Sequence, residues 1–344
     1  MNPPLRGTIR VVSDKSLTHR GVLLAALARG RTELREPNEG ADCRATLRAA
    51  EMLGATVRRE PGKWILDPPS GGLVEPEDVL DLGNSGTGMR LLSGVLAWQP
   101  FLSVLTGDRS LRGRPMGRAV EALRSMGASI DARQGGRAPL VIRGGALRGI
   151  AYRSPLPSAQ IKSAVLLAGL GLSEGAVRLE EPARSRDHTE RLLRWLGAPL
   201  SEDGEAIVLG SGARLEARDW TVPGDISAAV FFIVAGAITP GSDLTVEGVG
   251  LNPTRTGALE ALLRMGARLE TEVEATAGPE PVGRLRVRHG PLRPLTVGGP
   301  EVPRLIDEIP VLAVAAAMAE GVSRFDDVGD LRNKESDRIL ATCA

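Results

Sequence analysis

The chain has few cysteines and almost no net charge. Its two cysteines among 344 residues, Cys43 and Cys343, form neither a disulfide framework nor a zinc-site pattern, which fits a reducing cytosol. The formal net charge of +1 argues against a general nucleic-acid-binding protein. The apolar run at 308–319 is too short to cross a bilayer, and the N-terminus lacks a signal-peptide pattern. We therefore expect a cytoplasmic protein with no nucleic-acid or membrane partner.

Lysine is also rare. Because arginine supplies most of the 43 basic residues, a lysine can mark a position that requires a compact ammonium group. The four lysines are Lys15, Lys63, Lys162 and Lys334.

Four segments share one pattern, an amphipathic run that ends in Gly-Ala. Their glycines, separated by 73, 70 and 69 residues, are Gly54, Gly127, Gly197 and Gly266. Each segment predicts a surface helix with a glycine cap, followed by a short strand. The strand-like runs lie at 64–66, 139–143, 206–209 and 284–288. A fixed period of about 70 residues indicates repeated architecture, which we expect to be grouped into globular domains rather than a solenoid.

A second feature recurs with the same period. Polar or glycine-rich residues open five apolar helices, which should be buried on all faces, at 13–20, 83–90, 157–163, 223–229 and 307–313. Helix starts attract anions through their free N–H groups and the helix dipole. Taken singly, each start can also be explained by ordinary capping or by a solvated first turn. If several starts meet, they predict a site for an anionic ligand.

Two motifs carry the most distinctive chemistry. Arginines crowd a helix start within 107–128, where Arg114 is the candidate for bidentate contact with an anion. Asp307 precedes a helix of small residues, where it can either stabilise the helix start or act as a general base. The three histidines show no metal-ligand spacing, so we expect no metal.

Together, eight motifs resemble the 5-enolpyruvylshikimate-3-phosphate synthase family. They occur in the family's order along nearly the whole chain: SDKSLTHR, LGNSGTGMR, GDRSLRGRPMGRAVEALRSMGA, SAQIKSAVLLAGL, SRDHTERLL, PGDISAA, DEIPVLAVAA and LRNKESDRI. The resemblance implies transfer of the enolpyruvyl group of phosphoenolpyruvate to the 5-hydroxyl of shikimate 3-phosphate, with release of phosphate, in aromatic amino-acid biosynthesis. It implies no cofactor and a monomer.

The resemblance also implies an α/β fold, an inside-out α/β barrel of two domains. Each domain of the family is built from three βαβαββ units, and the site lies between the domains. We expect a discontinuous first domain at 1–12 and 225–344, and a second domain at 13–224.

Three sets of site residues follow from the resemblance, position by position. The candidates for proton transfer are Lys15, Asp307 and Glu335. The expected contacts of shikimate 3-phosphate are Lys15, Ser16, Arg20, Ser158, Ala159, Gln160, Arg186, Asp307 and Lys334. The expected contacts of phosphoenolpyruvate are Lys15, Gly86, Arg114, Gln160 and Arg338. The sequence does not divide the proton transfers among their candidates.

The length departs from the family pattern. Six units of ~70 residues need roughly 420 residues, whereas the chain has 344. The family's late GDHR-like segment and a later lysine contact have no counterpart here. We therefore expect a truncated or interrupted reading frame, incomplete last units, exposed core surface in one domain and little activity.

Two alternatives stay open. UDP-N-acetylglucosamine enolpyruvyl transferase has the same architecture but normally uses a loop cysteine, and this sequence has none between 44 and 342. The other alternative is a non-catalytic fragment that binds shikimate 3-phosphate or nothing. Residual binding is favoured by five retained residues, Ser16, Arg20, Ser158, Gln160 and Arg186.

Overall fold

A computed structural model describes residues 3–274 and 278–344, which form two compact units. Unit 1 comprises Met1–Asp14, Ala183–Arg186 and Pro223–Ala344, and unit 2 comprises Lys15–Pro182 and Asp187–Val222. These units differ from the expected domains at 13–14, 183–186 and 223–224, all of which group with unit 1.

The described residues form β-strands, α-helices and two short 3₁₀ turns. The strands are β1 (Arg6–Arg10), β2 (Thr32–Arg35), β3 (Thr56–Glu60), β4 (Lys63–Asp67), β5 (Leu80–Asp81), β6 (Leu102–Thr106), β7 (Ser129–Arg133), β8 (Arg137–Arg143), β9 (Ile150–Arg153), β10 (Ala176–Glu180), β11 (Leu200–Asp203), β12 (Ala206–Gly210), β13 (Trp220–Thr221), β14 (Asp243–Gly250), β15 (Arg268–Glu274), β16 (Val282–Arg288), β17 (Thr296–Val297) and β18 (Arg324–Phe325). The helices are α1 (Lys15–Leu27), α2 (Ala41–Met52), α3 (Gly86–Leu96), α4 (Arg109–Gly113), α5 (Gly117–Ser125), α6 (Ala159–Gly169), α7 (His188–Trp195), α8 (Ile226–Ile238), α9 (Gly257–Arg264), α10 (Ile309–Ala317) and α11 (Arg338–Cys343), with 3₁₀ turns at Gly299–Arg304 and Gly329–Asn333.

The sheets repeat one four-stranded pattern. In the sheet β5-β6-β8-β7 of unit 2, β5 and β6 are parallel and the other pairs are antiparallel. A parallel pair needs a crossover, which α3 supplies, whereas β7 and β8 need only a short turn. The sheet β9-β10-β12-β11 is built in the same way around α6 and α7. This βαβαββ order is the structural form of the predicted repeat, and each predicted strand-like run lies in the second strand of a hairpin.

Two sheets take their first strand from a distant part of the sequence. β13 pairs with β2, with Trp220 opposite Leu34, and completes the sheet β13-β2-β4-β3 of unit 2. β1 pairs with β14, with Arg6 opposite Asp243, and completes the sheet β1-β14-β16-β15 of unit 1. β1 immediately precedes α1 of unit 2 in the chain, but it pairs with β14 of unit 1. Long-range strand pairing, and not the order of elements along the chain, therefore determines which sheet contains β1.

The predicted glycine caps are confirmed. The four glycines have φ between 84° and 97°, the left-handed region in which a side chain is disfavoured. At the end of α2, the N–H of Gly54 donates to Glu51 and that of Ala55 donates to Ala50. This hydrogen-bond pair closes a Schellman motif, and the same pair recurs after α5, α7 and α9.

The apolar helices form the cores, but they are not equally buried. In α1, α3 and α6 nearly every side chain is buried. In unit 1, however, Phe231 and Phe232 of α8 and Val314 of α10 are 57%, 44% and 50% exposed. Burial on all faces was therefore a wrong expectation for α8 and α10, because the described residues of unit 1 cover only part of each helix. Exposed apolar surface in one domain was expected, and it is found in unit 1. None of the helices in the described part of the chain has the length and apolarity needed to cross a bilayer.

Candidate active site

Arg20 links the starts of three helices in unit 2. It is buried, and its Nη1 donates to the carbonyl of Ser16 one turn earlier in α1, at 2.8 Å. Its Nε donates to Oγ1 of Thr189 in α7 and its Nη2 donates to Oγ of Ser163 in α6, both at 2.7 Å. The predicted shared face of Ser16 and Arg20 is therefore present. Because three elements hold the guanidinium, its direction is set before any ligand arrives.

Lys15 lies at the first position of α1, where it keeps access to solvent. Its side chain is 44% exposed, and Nζ donates to Oδ2 of Asp42 at 3.1 Å. An exposed ion pair of this kind is weak, since water competes with it. The ammonium group can therefore leave Asp42 for a phosphate or carboxylate at low cost.

The starts of α3 and α6 meet through Gln160 and Arg90. Gln160 donates from Nε2 to Oγ1 of Thr87 and accepts from Nη1 of Arg90, both at 2.8 Å. Arg90 also donates to the carbonyls of Gly86 at 3.2 Å and of Pro115 at 2.8 Å. The sequence interpretation quoted Arg90 only as the end of a glycine-rich motif and gave it no role. The partner that could have indicated one, Gln160, lies 70 residues away.

Gly86 is in direct contact with Arg114, its predicted neighbour in the site. A Cβ at Gly86 would lie 2.8 Å from Nη1 and 2.9 Å from Cζ of that arginine. The guanidinium therefore rests on the bare backbone at the start of α3, and the glycine is needed for this approach.

Ser158 caps α6, and its own backbone N–H is hydrogen-bonded to a carboxylate. Its side chain accepts from the N–H of Ile161, and its own N–H donates to Oε1 of Glu181 at 3.0 Å. Ala159 is the first residue of α6 and Gln160 is the second. The structure thus brings together the unit 2 residues expected at the site around the starts of α1, α3 and α6.

The remaining predicted residues form one cluster in unit 1 around Asp307. Its Oδ2 accepts from Nη2 of Arg186, and its Oδ1 accepts from Nη1 of Arg338 at 3.0 Å. Nζ of Lys334 lies 3.6 Å from the same Oδ1, and Glu335 accepts from Nη2 of Arg338 at 2.6 Å. Burial alone would raise the pKa of the Asp307 carboxyl, but these cations outweigh it and hold the pKa well below its usual range. In this state the carboxylate is a strong acceptor and a weak base.

Arg255 forms a buried ionic cluster that the sequence interpretation did not anticipate. Its Nη2 donates to Oγ of Ser227 at 2.7 Å and lies 3.2 Å from Oδ1 of Asp225 and 3.5 Å from Oε1 of Glu308. Burial, and then repulsion from Asp14, raises the pKa of Asp225 to about 6. Since Arg255 also lowers the pKa of the neighbouring Asp307 carboxyl, the cluster contributes to the field in this part of unit 1.

Comparison with known proteins finds related sequences over nearly the whole chain. The sequence model of the family "EPSP synthase (3-phosphoshikimate 1-carboxyvinyltransferase)" matches residues 2–344. A 3-phosphoshikimate 1-carboxyvinyltransferase of Thermus thermophilus is 52% identical over 340 residues, which are 98% of this chain and 79% of the relative. The enzyme of the same name from Gloeobacter violaceus is 53% identical over 344 residues, covering 99% of this chain and 79% of the relative. The expectation of an interrupted reading frame stays a prediction.

Solved structures show the same relationship. EPSP synthase from Acinetobacter baumannii superposes with a TM-score of 0.88 at 43% identity, covering all of this chain and 78% of that one. The enolpyruvyl transferase NikO from Streptomyces tendae shares the fold, with a TM-score of 0.73 at 20% identity over 94% of this chain and 76% of its own. The expected α/β enolpyruvyl-transferase fold is thereby confirmed. With a family match over nearly its whole length and relatives at about half identity, the chain belongs to the EPSP synthase family of 3-phosphoshikimate 1-carboxyvinyltransferases.

Proposed function

We propose that the polar clusters of both units serve enolpyruvyl transfer, the reaction of this family, from phosphoenolpyruvate to the 5-hydroxyl of shikimate 3-phosphate. The observation that carries this proposal is the meeting of three helix starts in unit 2, joined by Arg20 and Gln160. Helix starts and oriented cations favour phosphate and carboxylate groups, and the two substrates carry two of each.

Within unit 2, the residues divide between the substrates. Ser16, Arg20, Ser158 and Ala159 bind shikimate 3-phosphate, and Gly86 and Arg114 form the side that faces phosphoenolpyruvate. Lys15 and Gln160 contact both substrates. The support for Lys15 is its exposed, exchangeable ion pair with Asp42, and the support for Gln160 is that its hydrogen bonds join the start of α6 to α3.

Within unit 1, Asp307 engages the attacking hydroxyl, and Arg186 and Lys334 bind shikimate 3-phosphate. Arg338 contacts phosphoenolpyruvate. The low pKa of the Asp307 carboxyl suits a resting state in which Arg186 neutralises it. When the substrate phosphate or a hydroxyl draws Arg186 away, Asp307 loses its nearest cation and its basicity rises.

The reaction then needs protons to be both delivered and removed. Protonation of the methylene carbon of phosphoenolpyruvate creates positive character at the adjacent carbon, which the 5-hydroxyl attacks while it loses its proton. The tetrahedral adduct expels phosphate and loses a methyl proton, which restores the enol double bond. Lys15, Asp307 and Glu335 are the proposed proton-transfer groups, because they are titratable members of the two clusters.

The proposal also covers the oligomeric state and the cellular location of the chain. We propose a monomer in the cytoplasm; the support for the location is that the two cysteines are both free, which fits a reducing compartment. Light scattering during size-exclusion chromatography tests the monomer. The alternative specificity for UDP-N-acetylglucosamine loses support, because the curated relatives named above are all 3-phosphoshikimate enzymes.

Calorimetric titration tests the assignment. Shikimate 3-phosphate should bind the chain, and Lys15→Met should weaken binding of both substrates by at least tenfold. Lys63→Met is the matched control, since Lys63 also makes partly exposed ion pairs but lies in β4. A folded chain that binds neither substrate would overturn the proposal. A phosphate-release assay with both substrates measures turnover.

A further inference from the structure

Lys162 is the most deeply buried of the four lysines and has no role in the function proposed above. Its side chain is 1% exposed. Nζ donates to Oε2 of Glu181 at 2.8 Å and lies 2.8 Å from Oε1 of Glu190. Both carboxylates are buried as well, at 6% and 3% exposure. A buried charge of this kind is costly to keep, so its partners indicate what it does.

The chemistry of the cluster requires a compact cation. Burial lowers the pKa of the Lys162 ammonium, but attraction to Glu190 and Glu181 outweighs this and leaves the pKa raised. The group therefore stays charged at neutral pH. An ammonium can contact carboxylates that approach from different elements, whereas the planar fork of an arginine favours one bidentate partner. This explains a lysine in a chain that otherwise uses arginine.

Within the cluster, Glu181 connects Lys162 to the start of α6. Oε2 of Glu181 accepts from Lys162, and Oε1 of the same carboxylate accepts from the backbone N–H of Ser158 at 3.0 Å. Lys162 thereby orients the Glu181 carboxylate, and the other oxygen of this carboxylate holds the backbone of Ser158. The position of the Ser158 hydroxyl and of the first free N–H groups of α6 depends on this link.

The other side of the cluster holds α7 against α6. Lys162 of α6 contacts Glu190 of α7, and the adjacent pair, Ser163 and Thr189, lies at 2.7 Å between hydroxyl oxygens. Arg20 donates to both hydroxyls of that second pair. A shift of α7 along α6 would separate the two acceptors that hold the guanidinium.

We propose that Lys162, with Glu181 and Glu190, is a positioning residue for the phosphate of shikimate 3-phosphate. It sets Ser158 through Glu181 and Arg20 through Glu190 and α7, and it does not itself touch the substrate. The inference rests on the proposed function of Ser158 and Arg20 as phosphate contacts.

The test compares affinities for shikimate 3-phosphate and for shikimate, which lacks the phosphate. Both dissociation constants are measured by calorimetry, well below the unfolding temperature of each variant. Lys162→Met should raise the constant for shikimate 3-phosphate at least tenfold and reduce the preference over shikimate. Lys63→Met removes a lysine that also contacts two glutamates, Glu33 and Glu60, and should leave both constants within twofold.

A second pair of variants changes Glu181 and keeps Lys162 in place. This pair tests the positioning role even if Lys162→Met does not fold. Glu181→Ala removes the acceptor of the Ser158 N–H and should weaken binding at least tenfold. Glu181→Gln retains one acceptor oxygen for the Ser158 N–H but turns an NH₂ group, which cannot accept, toward Lys162, so it should restore only part of the affinity. A purely structural role predicts lower unfolding temperatures without a change in the preference for the phosphate.

The outcomes separate the two proposals. If the unchanged chain binds shikimate 3-phosphate and Glu181→Ala binds it within twofold of the same affinity, this inference is wrong and the proposed function stands. Full affinity in Glu181→Gln also overturns it, because the amide cannot accept from both Ser158 and Lys162. If the unchanged chain does not bind the ligand, the proposed function fails and the inference fails with it.

Discussion

The replacement Gly86→Ala should weaken phosphoenolpyruvate binding without destabilising the chain. The new Cβ would lie 2.8 Å from Nη1, 2.9 Å from Cζ and 3.1 Å from Nη2 of Arg114. Since ordinary contacts begin near ~3.5 Å, the guanidinium must retreat by roughly 0.7 Å. The backbone of α3 need not change, because Gly86 does not have a positive φ.

The two effects of this replacement have opposite signs. An alanine favours a helix over glycine by up to about 1 kcal/mol, so the unfolding temperature should stay equal or rise. Misplacing a charged, bidentate hydrogen-bond donor costs about 1.5–3 kcal/mol of binding. At about 1.4 kcal/mol per tenfold, this predicts a loss of phosphoenolpyruvate affinity of about 10-fold to 100-fold.

Gly117→Ala is the matched control, since Gly117 is the first residue of α5 as Gly86 is of α3. Its Cβ would lie 3.7 Å from Cα of Gly136, an ordinary contact. Both variants are titrated with phosphoenolpyruvate in the presence of saturating shikimate 3-phosphate, and their thermal unfolding is recorded. Unchanged affinity in Gly86→Ala, or an equal loss in Gly117→Ala, would refute the reasoning.

Three further predictions follow from the polar clusters. Arg90→Met removes three hydrogen bonds and the partner that orients Gln160, so affinity for both substrates should fall at least tenfold and urea unfolding should show a loss of about 2–3 kcal/mol; unaltered affinities would contradict this. Arg186→Met removes the cation that most lowers the pKa of the Asp307 carboxyl, so that pKa should rise in a carbon-detected NMR titration, and a constant value would show that the pair is not formed. The pKa of the Asp225 carboxyl is raised to about 6 in the folded chain. The contribution of this group to the free energy of unfolding is therefore fully present below pH ~4 and is lost as the pH rises through 6. It should lower the unfolding free energy by about 3 kcal/mol between these values, and urea unfolding of Asp225→Asn should lack this decline.

Local sequence signals predicted the parts of the fold that depend on local physics. The Gly-Ala ends predicted four helix C-caps because the backbone at that position needs a left-handed conformation, and Gly54 and its three counterparts adopt it. The amphipathic runs predicted the surface helices, since a helix that buries one face repeats its apolar residues with the helical period. The same reasoning overestimated burial for α8, because composition does not specify whether another element covers Phe231.

The sequence predicts only those residues of the candidate site that lie within a recognisable motif. Lys15, Arg114, Ser158 and Asp307 are candidates from the sequence because each opens or precedes a helix within a recognisable segment. Arg90 and Arg255 were missed, since an arginine has no local signature that distinguishes a hydrogen-bonding hub from a solvated surface cation. Their roles follow from partners that lie 70 and 53 residues away along the chain, Gln160 and Glu308.

The sequence by itself determined the period of the repeat, the helix boundaries near the glycine caps and the family of the chain, because these depend on short-range conformational preferences and on residue identity. Only the tertiary structure decided which strand completes which sheet, as β1 and β13 show. It also decided that one rare lysine, Lys162, is buried between Glu181 and Glu190, while another, Lys63, stays near the surface. The physical reason is that pairing and desolvation are properties of groups brought together from distant positions, and their free energies depend on the neighbours and not on the local sequence.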